Sequence, residues 1–234
     1  MDIKVFILAG GFGTRLRSVT KDIIPKPMVD IGNGVFLDFL ISNIRKQLDI
    51  QDIYLLTHHF SDIIESHYAG DEKIHIIKEN QPMGTGGAIK YAIKHIGLKK
   101  DSKILVFNGD TFCDVDLSLF TKNTSASVCI VSVAVNDCDR YGTLEVDDET
   151  IINFFEKQVN SRNAWINAGI YLFNGLDFFY NIYDEVFAVE TEIKTQLGAG
   201  LKVNAYKHNG FFIDIGVPED YYRFKQAIGG LEIL

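Results

Sequence analysis

The stretch Lys4–Leu16, KVFILAGGFGTRL, decides how this chain is read. Lys4 to Ala9 is an almost unbroken apolar run of strand length. Such a run suits a strand buried on both faces of a parallel sheet rather than an alternating surface strand. Gly10, Gly11 and Gly13 cannot easily continue it. They let backbone amides stand where side chains would clash, and N–H groups at such a turn cradle phosphate oxygens. Arg15 adds a rigid fork of donors. Downstream, Pro25-Lys26-Pro27 holds a second cation between two rings that restrict its backbone, so less motion is frozen when the ammonium meets an anion. Glycines alone are ordinary at strand-to-helix turns, and either cation alone suits a surface. The ordered combination carries the signal. It matches neither Gly-x-Gly-x-x-Gly nor Gly-Lys-Ser/Thr, which disfavours dinucleotide binding and phosphate-loop hydrolysis of ATP.

Working outward, residues 36–48 place Phe36, Leu37, Leu40, Ile41, Ile44 and Leu48 on one helix face. Asp52–Thr57 reads as a strand, Ser61 as the N-cap of a short helix through His67, and Lys73–Ile77 as a further strand. Gln81–Gly87 reads as a loop with three glycines, Ala88–Ile96 as a helix and Ser102–Phe107 as a buried strand. This repeated order predicts an α/β fold: a three-layer α/β/α sandwich around a Rossmann-like, mostly parallel mixed sheet. The second half is less regular. Strands are predicted over 126–135, 143–146, 151–155, 166–173, 201–206 and 210–215, with helices over 176–183 and from Pro218 to about Ile228, where Gly229-Gly230 would stop the last one.

The chain has 234 residues, 47% of them hydrophobic. That size predicts one domain, 1–234, with a nucleotide-binding half over roughly 1–125 and an acceptor-binding half over 126–234. A formal net charge of -8 argues against a nucleic-acid surface. Three cysteines without CxxC spacing read as scattered thiols in a reducing compartment. No apolar run approaches the roughly 18 residues of a spanning helix, and no leader pattern is visible. The expectation is a cytoplasmic protein without membrane insertion. The aromatic-rich segment Phe178-Phe179-Tyr180 with Tyr183 would suit core, an acceptor rim or a homodimer contact.

Several polar residues stand where chemistry would need them. Asp110 follows a probable strand and can face a crevice at its carboxyl end. Asp214 lies in the apolar run Phe211–Ile215, where a charge needs pairing, water or a metal. Either alone is more often a capped turn or a satisfied carboxylate. Gln81 carries both a donor and an acceptor and can read a base edge. Glu156-Lys157 reads by default as a surface ion pair. Arg140 suits either a phosphate or a pairing with Asp139 or Asp137, and His58, His59 and His208 read as structural or exposed, without a Cys or His constellation.

The chain resembles the sugar-1-phosphate nucleotidyltransferases, or sugar nucleotide pyrophosphorylases, over nearly its whole length. The likeness rests on Leu8–Leu16, Ser18-Val19 with Lys21-Asp22, Pro25–Met28, Gly84–Lys90, Asn108-Gly109-Asp110-Thr111, Asp139–Thr143 and Phe212–Tyr222. Within that family it looks most like the heptose 1-phosphate guanylyltransferases. The resemblance implies the nucleotide-diphospho-sugar transferase type of fold. It also implies a nucleotide site at Leu8, Ala9, Gly10, Gly11, Gly13, Thr14, Arg15, Gln81, Gly86, Asn108, Gly109 and Asp110. It places the sugar phosphate at Lys26, Tyr141, Gly142, Glu156, Lys157, Asn167 and Gly169, with Mg²⁺ on Asp110 and Asp214. Arg15, Lys26, Asp110, Lys157 and Asp214 would carry catalysis. The implied reaction joins GTP or another NTP to a sugar 1-phosphate, giving an NDP-sugar and pyrophosphate. Gln81 does not select guanine over uracil or cytosine, so UTP and CTP, other sugar 1-phosphates and phosphocholine stay open, as does a non-catalytic sugar-nucleotide sensor.

Overall fold

The computed structural model describes residues 3–122, 126–138, 140–155 and 162–230. The first half runs β1 (Ile3–Leu8), α1 (Arg17–Thr20), α2 (Phe36–Gln47), β2 (Ile53–Thr57), α3 (Ser61–Tyr68), β3 (Ile74–Lys78), α4 (Gly84–Ile96) and β4 (Lys103–Asn108). The second half adds β5 (Thr111–Cys113), α5 (Leu117–Lys122), β6 (Val128–Asp137), β7 (Thr143–Asp147), β8 (Thr150–Phe155), β9 (Arg162–Asn174), α6 (Asp177–Tyr180), α7 (Val189–Gly198), β10 (Val203–His208), β11 (Phe212–Asp214) and α8 (Pro218–Gly230).

Nine strands form one mixed sheet in the order β3-β2-β1-β4-β9-β6-β10-β8-β7. The four strands of the first half are parallel and are joined by three helical crossovers. β9 then enters antiparallel to β4 and β6. β7 pairs with both β8 and β9, so this part of the sheet returns on itself and leaves β7 no open side at Thr143 and Leu144.

Alternation along the central strands builds two cores. Val5 and Ile7 of β1 face one apolar layer with residues of α2, α3, α5 and α8. Phe6 faces the other, with α4, α6 and α7. Central strands buried on both faces explain the continuous apolar run at the N-terminus, and each fully buried large side chain contributes about 1.5–3 kcal/mol relative to exposure. The three-layer sandwich expected from the sequence is the one present.

Local departures have local causes. Phe60, in the left-handed region, precedes α3, so Ser61 is its first residue rather than its cap. The Ser61 hydroxyl instead contacts Thr57 at 2.7 Å and donates to Glu65 at 2.9 Å. The glycines of the 81–87 segment are not loop: α4 begins at Gly84 itself. The 176–183 helix shrinks to Asp177–Tyr180, and α8 runs on through Gly229-Gly230. Of the aromatic-rich segment, Phe178 and Phe179 are core, while Tyr180 and Tyr183 face solvent. α7 was not visible in the sequence because only Val189 and Ile193 of its ten residues are buried.

Candidate active site

A cleft of about 310 Å³ opens at the carboxyl ends of β1, β2, β3 and β4. In an open α/β sheet this is where ligands bind. Leu8 through Phe12 form one wall; Lys26, His58, Glu79, Asn108 and Asp110 supply polar groups, and Pro82–Thr85 close it at the start of α4. Gly10 is forced by packing, since a Cβ there would sit 2.9 Å from the His58 backbone nitrogen. Gly13 has φ +62 and starts the short turn Thr14–Leu16. Gly109 donates its N–H to the Leu8 carbonyl at 2.9 Å, tying the ends of β1 and β4 together. Gly13, Thr14 and Arg15 lie along the same turn but outside the cleft lining.

The two aspartates meet through a small ladder. β11 runs antiparallel to β5, with Asp214 opposite Thr111. The Ile215 N–H donates to the Asp110 carbonyl at 3.0 Å, which sets the two residues side by side. Lys26 donates to Asp110 Oδ2, and Arg15 stands 4.0 Å from Asp214 Oδ2. The Gly216 N–H donates to Asp214 Oδ1 at 2.7 Å. Burial pushes the Asp214 carboxyl above its ordinary range, and the Asp110 charge pushes the same way. Lys26, the Gly216 N–H and Arg15 act against both. At Asp214 the nearby cations therefore do not fully offset burial and the neighbouring carboxylate. Two carboxylates beside the cleft are a hard, oxygen-only donor set, which fits Mg²⁺ with water and phosphate oxygens completing the shell. The Lys26 ammonium already occupies the cationic role against Asp110. Asn108 Oδ1 is buried without a protein partner, an acceptor left over at the floor of the cleft.

The acceptor-side residues divide. Asn167 Nδ2 donates to the Tyr171 hydroxyl at 2.5 Å, and Asn167 Oδ1 accepts from the Gly169 N–H at 2.9 Å. Tyr171 donates to Glu190 at 2.7 Å, and Glu190 also accepts from Thr85 at 3.1 Å. A polar chain thus runs from β9 to the cleft wall. Gly169, at φ +75, answers to its neighbours: a Cβ would come within 2.6 Å of Asn108 Nδ2 and 2.8 Å of Thr111 Oγ1. The Tyr141 hydroxyl is pushed up to about 12 by burial, and its ring packs edge-on against Phe212. A Cβ on Gly142 would lie 3.1 Å from the Phe155 carbonyl. Arg140 pairs with Asp220 of α8; Asp139 and the Asp137 side chain lie outside what the structure describes. Glu156 and Lys157 lie outside the described residues.

Two residues expected at the base, Gln81 and Gly86, lie outside the lining of this cleft. Gln81 lines a neighbouring hollow with Lys90, Tyr91 and Lys94. Gly86 is buried against Phe187, whose ring leaves no space for a Cβ, and its N–H donates to the Phe187 carbonyl at 3.0 Å. The cleft instead presents Glu79 and His58. Glu79 accepts the Met83 N–H at 2.9 Å, and burial raises its carboxyl. The sequence reading names no role for Glu79 and takes His58 as structural or exposed, although each directly follows a strand on the ligand-bearing side of the sheet.

The chain belongs to the nucleotidyl transferase family, whose model matches residues 4–229. It is 39% identical over 225 residues to the D-glycero-alpha-D-manno-heptose 1-phosphate guanylyltransferase of Campylobacter jejuni, covering 95% of this chain and 98% of that protein. The protein of the same name from Aneurinibacillus thermoaerophilus is 32% identical over 97% of this chain and 98% of its own length. Among solved structures, HddC from Yersinia pseudotuberculosis complexed with GMP-PN superposes with a TM-score of 0.83 at 36% identity, covering 97% of this chain and 99% of that one.

Proposed function

We propose that this nucleotidyl transferase moves a guanylyl group from GTP to D-glycero-alpha-D-manno-heptose 1-phosphate, yielding GDP-heptose and pyrophosphate. The observation that carries the reaction type is the ladder that seats Asp110 and Asp214 together beside the cleft. The names of the similar proteins support the heptose acceptor. Glu79 supports the donor. A buried carboxylate accepts well from guanine, which offers a ring N–H and an adjacent amino group, whereas uracil offers one ring N–H and cytosine none.

The acceptor's phosphate oxygen attacks the α-phosphorus, a new P–O bond forms, and the bond to the β-phosphate oxygen breaks in line with it. The nucleophile is already anionic, so no histidine or serine has to be activated. Asp110 and Asp214 would hold Mg²⁺, which when bound neutralises and polarises the α-phosphate. Lys26 screens the repulsion between two anionic reactants, and Arg15 meets charge growing on the leaving pyrophosphate. Gly10 and Gly11 bring backbone amides to the phosphates. Lys157 is assigned to the acceptor phosphate and Glu156 with Asn167 to sugar hydroxyls, with Tyr141 and Gly142 shaping the rim. Residues 1–125 would thus serve the nucleotide and 126–234 the acceptor, in a cytoplasmic protein with access to GTP. No helix among the described residues is long and apolar enough to cross a membrane.

A substrate matrix tests this reading. Pyrophosphate release is measured for GTP, UTP and CTP, each with heptose, mannose and glucose 1-phosphate. The GTP–heptose pair should turn over fastest. Efficient turnover of another pair with no reaction of this one would replace the substrate assignment. Ligand binding without pyrophosphate from any pair would make the protein a sensor.

A further inference from the structure

At the far end of the same ladder, three groups with metal-ligand chemistry converge that the reaction does not use. Cys113 ends β5 and pairs with Phe212, two rungs from the Thr111–Asp214 pair. Asp114 follows it, held by its N–H to the Phe211 carbonyl at 3.0 Å. His208 ends β10, and its Nε2 hydrogen-bonds the Asp114 carboxylate. The Cys113 sulfur, an Asp114 oxygen and a His208 ring nitrogen all lie within 4.8 Å of one another. We propose that Cys113, Asp114 and His208 form a structural site for a borderline-soft divalent cation of the Zn²⁺ type, distinct from the hard-cation site at Asp110 and Asp214.

The donor set decides the metal. A thiolate and an imidazole with one carboxylate select Zn²⁺ over Mg²⁺, which keeps to oxygen. Bonds of about 2.0–2.3 Å in a tetrahedron put ligand atoms about 3.3–3.8 Å apart. Small side-chain rotations reach that spacing from the one present, with the ion replacing the proton shared by His208 and Asp114. The burial is graded. Cys113 is 4% exposed, the His208 side chain 18% and the Asp114 side chain 47%, so the soft ligand sits deepest and water can reach the fourth position. The Val115 N–H points at the Cys113 sulfur and favours its thiolate, against the burial that pushes the thiol up to about 12. The turn also requires Gly210, because a Cβ there would overlap both the Asp114 carboxylate and the His208 ring. With these ligands joined, β5, β10 and the approach to β11 are pinned, and with them the register that aligns the two aspartates.

The test is metal binding, independent of turnover and of the substrate assignment. Protein stripped with a chelator is titrated with Zn²⁺ against a chromophoric competitor, and with Co²⁺ by absorbance. One Zn²⁺ should bind per chain, with a thiolate-to-cobalt charge-transfer band. C113S should abolish that band, H208Q should weaken Zn²⁺ binding at least about 10- to 100-fold, and D214N should leave it intact. H208Q alters a partly exposed side chain and reports even if C113S does not fold. Absence of stoichiometric binding, a Co²⁺ spectrum without the thiolate band, or Zn²⁺ affinity unchanged in H208Q would overturn the proposal.

Discussion

The buried Tyr171 hydroxyl donates to the partly buried Glu190 at 2.7 Å. Through Asn167 on one side and Thr85 on the other, this bond links the acceptor strand to the cleft wall. Removing one partner of a buried bond leaves the other unsatisfied, at a cost of about 1–3 kcal/mol. Y171F should lower unfolding stability by that amount in denaturant titrations. It should also raise KM for the sugar phosphate more than KM for the nucleotide, since Asn167 loses its anchor while the phosphate turn is untouched. Equal KM changes for both substrates would argue against the link.

Arg15 is half exposed and reaches toward Asp214 from outside the cleft lining. Its guanidinium is placed to meet charge that grows during transfer rather than to seat the nucleotide. R15A should reduce kcat about 100- to 1,000-fold, the range seen for losing one transition-state donor. Nucleotide affinity, read by calorimetry, should change far less. Matching losses in binding and turnover would contradict that division.

Glu79 gives a pH signature. Burial raises its carboxyl above the ordinary value of 4.5, with the Met83 N–H and His58 opposing. A carboxyl raised on folding contributes stability that is complete below the unfolded value and is lost as pH climbs through the folded one. E79Q keeps an acceptor for the Met83 N–H and cannot ionise. It should therefore melt higher than the parent at neutral pH, with the gap closing as pH falls toward 4.5. The same variant should lose preference for GTP over UTP in the pyrophosphate assay. A melting gap independent of pH would show that Glu79 titrates alike in both states.

Gly169 offers a steric test. At φ +75, with Asn108 and Thr111 against the missing Cβ, G169A combines backbone strain with a clash. It should cost about 1–3 kcal/mol of stability and displace Asn108 at the floor of the cleft, visible as a lower melting temperature and weaker nucleotide binding. G198A, where a Cβ meets open space, is the matched control.

The first half was legible because each signal was local. Lys4–Ala9 buries both faces and so reads as continuous apolar sequence, and the α2 stripe repeats at helical spacing. The second half resisted because its strands earn their places through distant partners: β9 alone pairs with β4, β6 and β7. Asp110 was conspicuous at a strand end. Its neighbour Asp214 could be joined to it only by resemblance, since the ladder between them is non-local. Gln81 has suitable chemistry, but the sequence does not show that it lines the hollow beside the cleft while the less versatile Glu79 lines the cleft itself. The Cys113–Asp114–His208 cluster left no spacing signal at all, because two of its members are neighbours and the third arrives from another strand.

The β5–β11 ladder stands apart from the nine-stranded sheet. Because side chains alternate, a slip by one rung would present Ile213 where Asp214 now stands. The chain between Cys113 and Phe212 is in effect an excursion that must return in step. Within it, the contacts that β9 and Gly169 make with the first half are fixed, while its exposed turns are free to drift. A lineage can thus remodel which sugar it admits while inheriting, unaltered, the place where phosphates exchange.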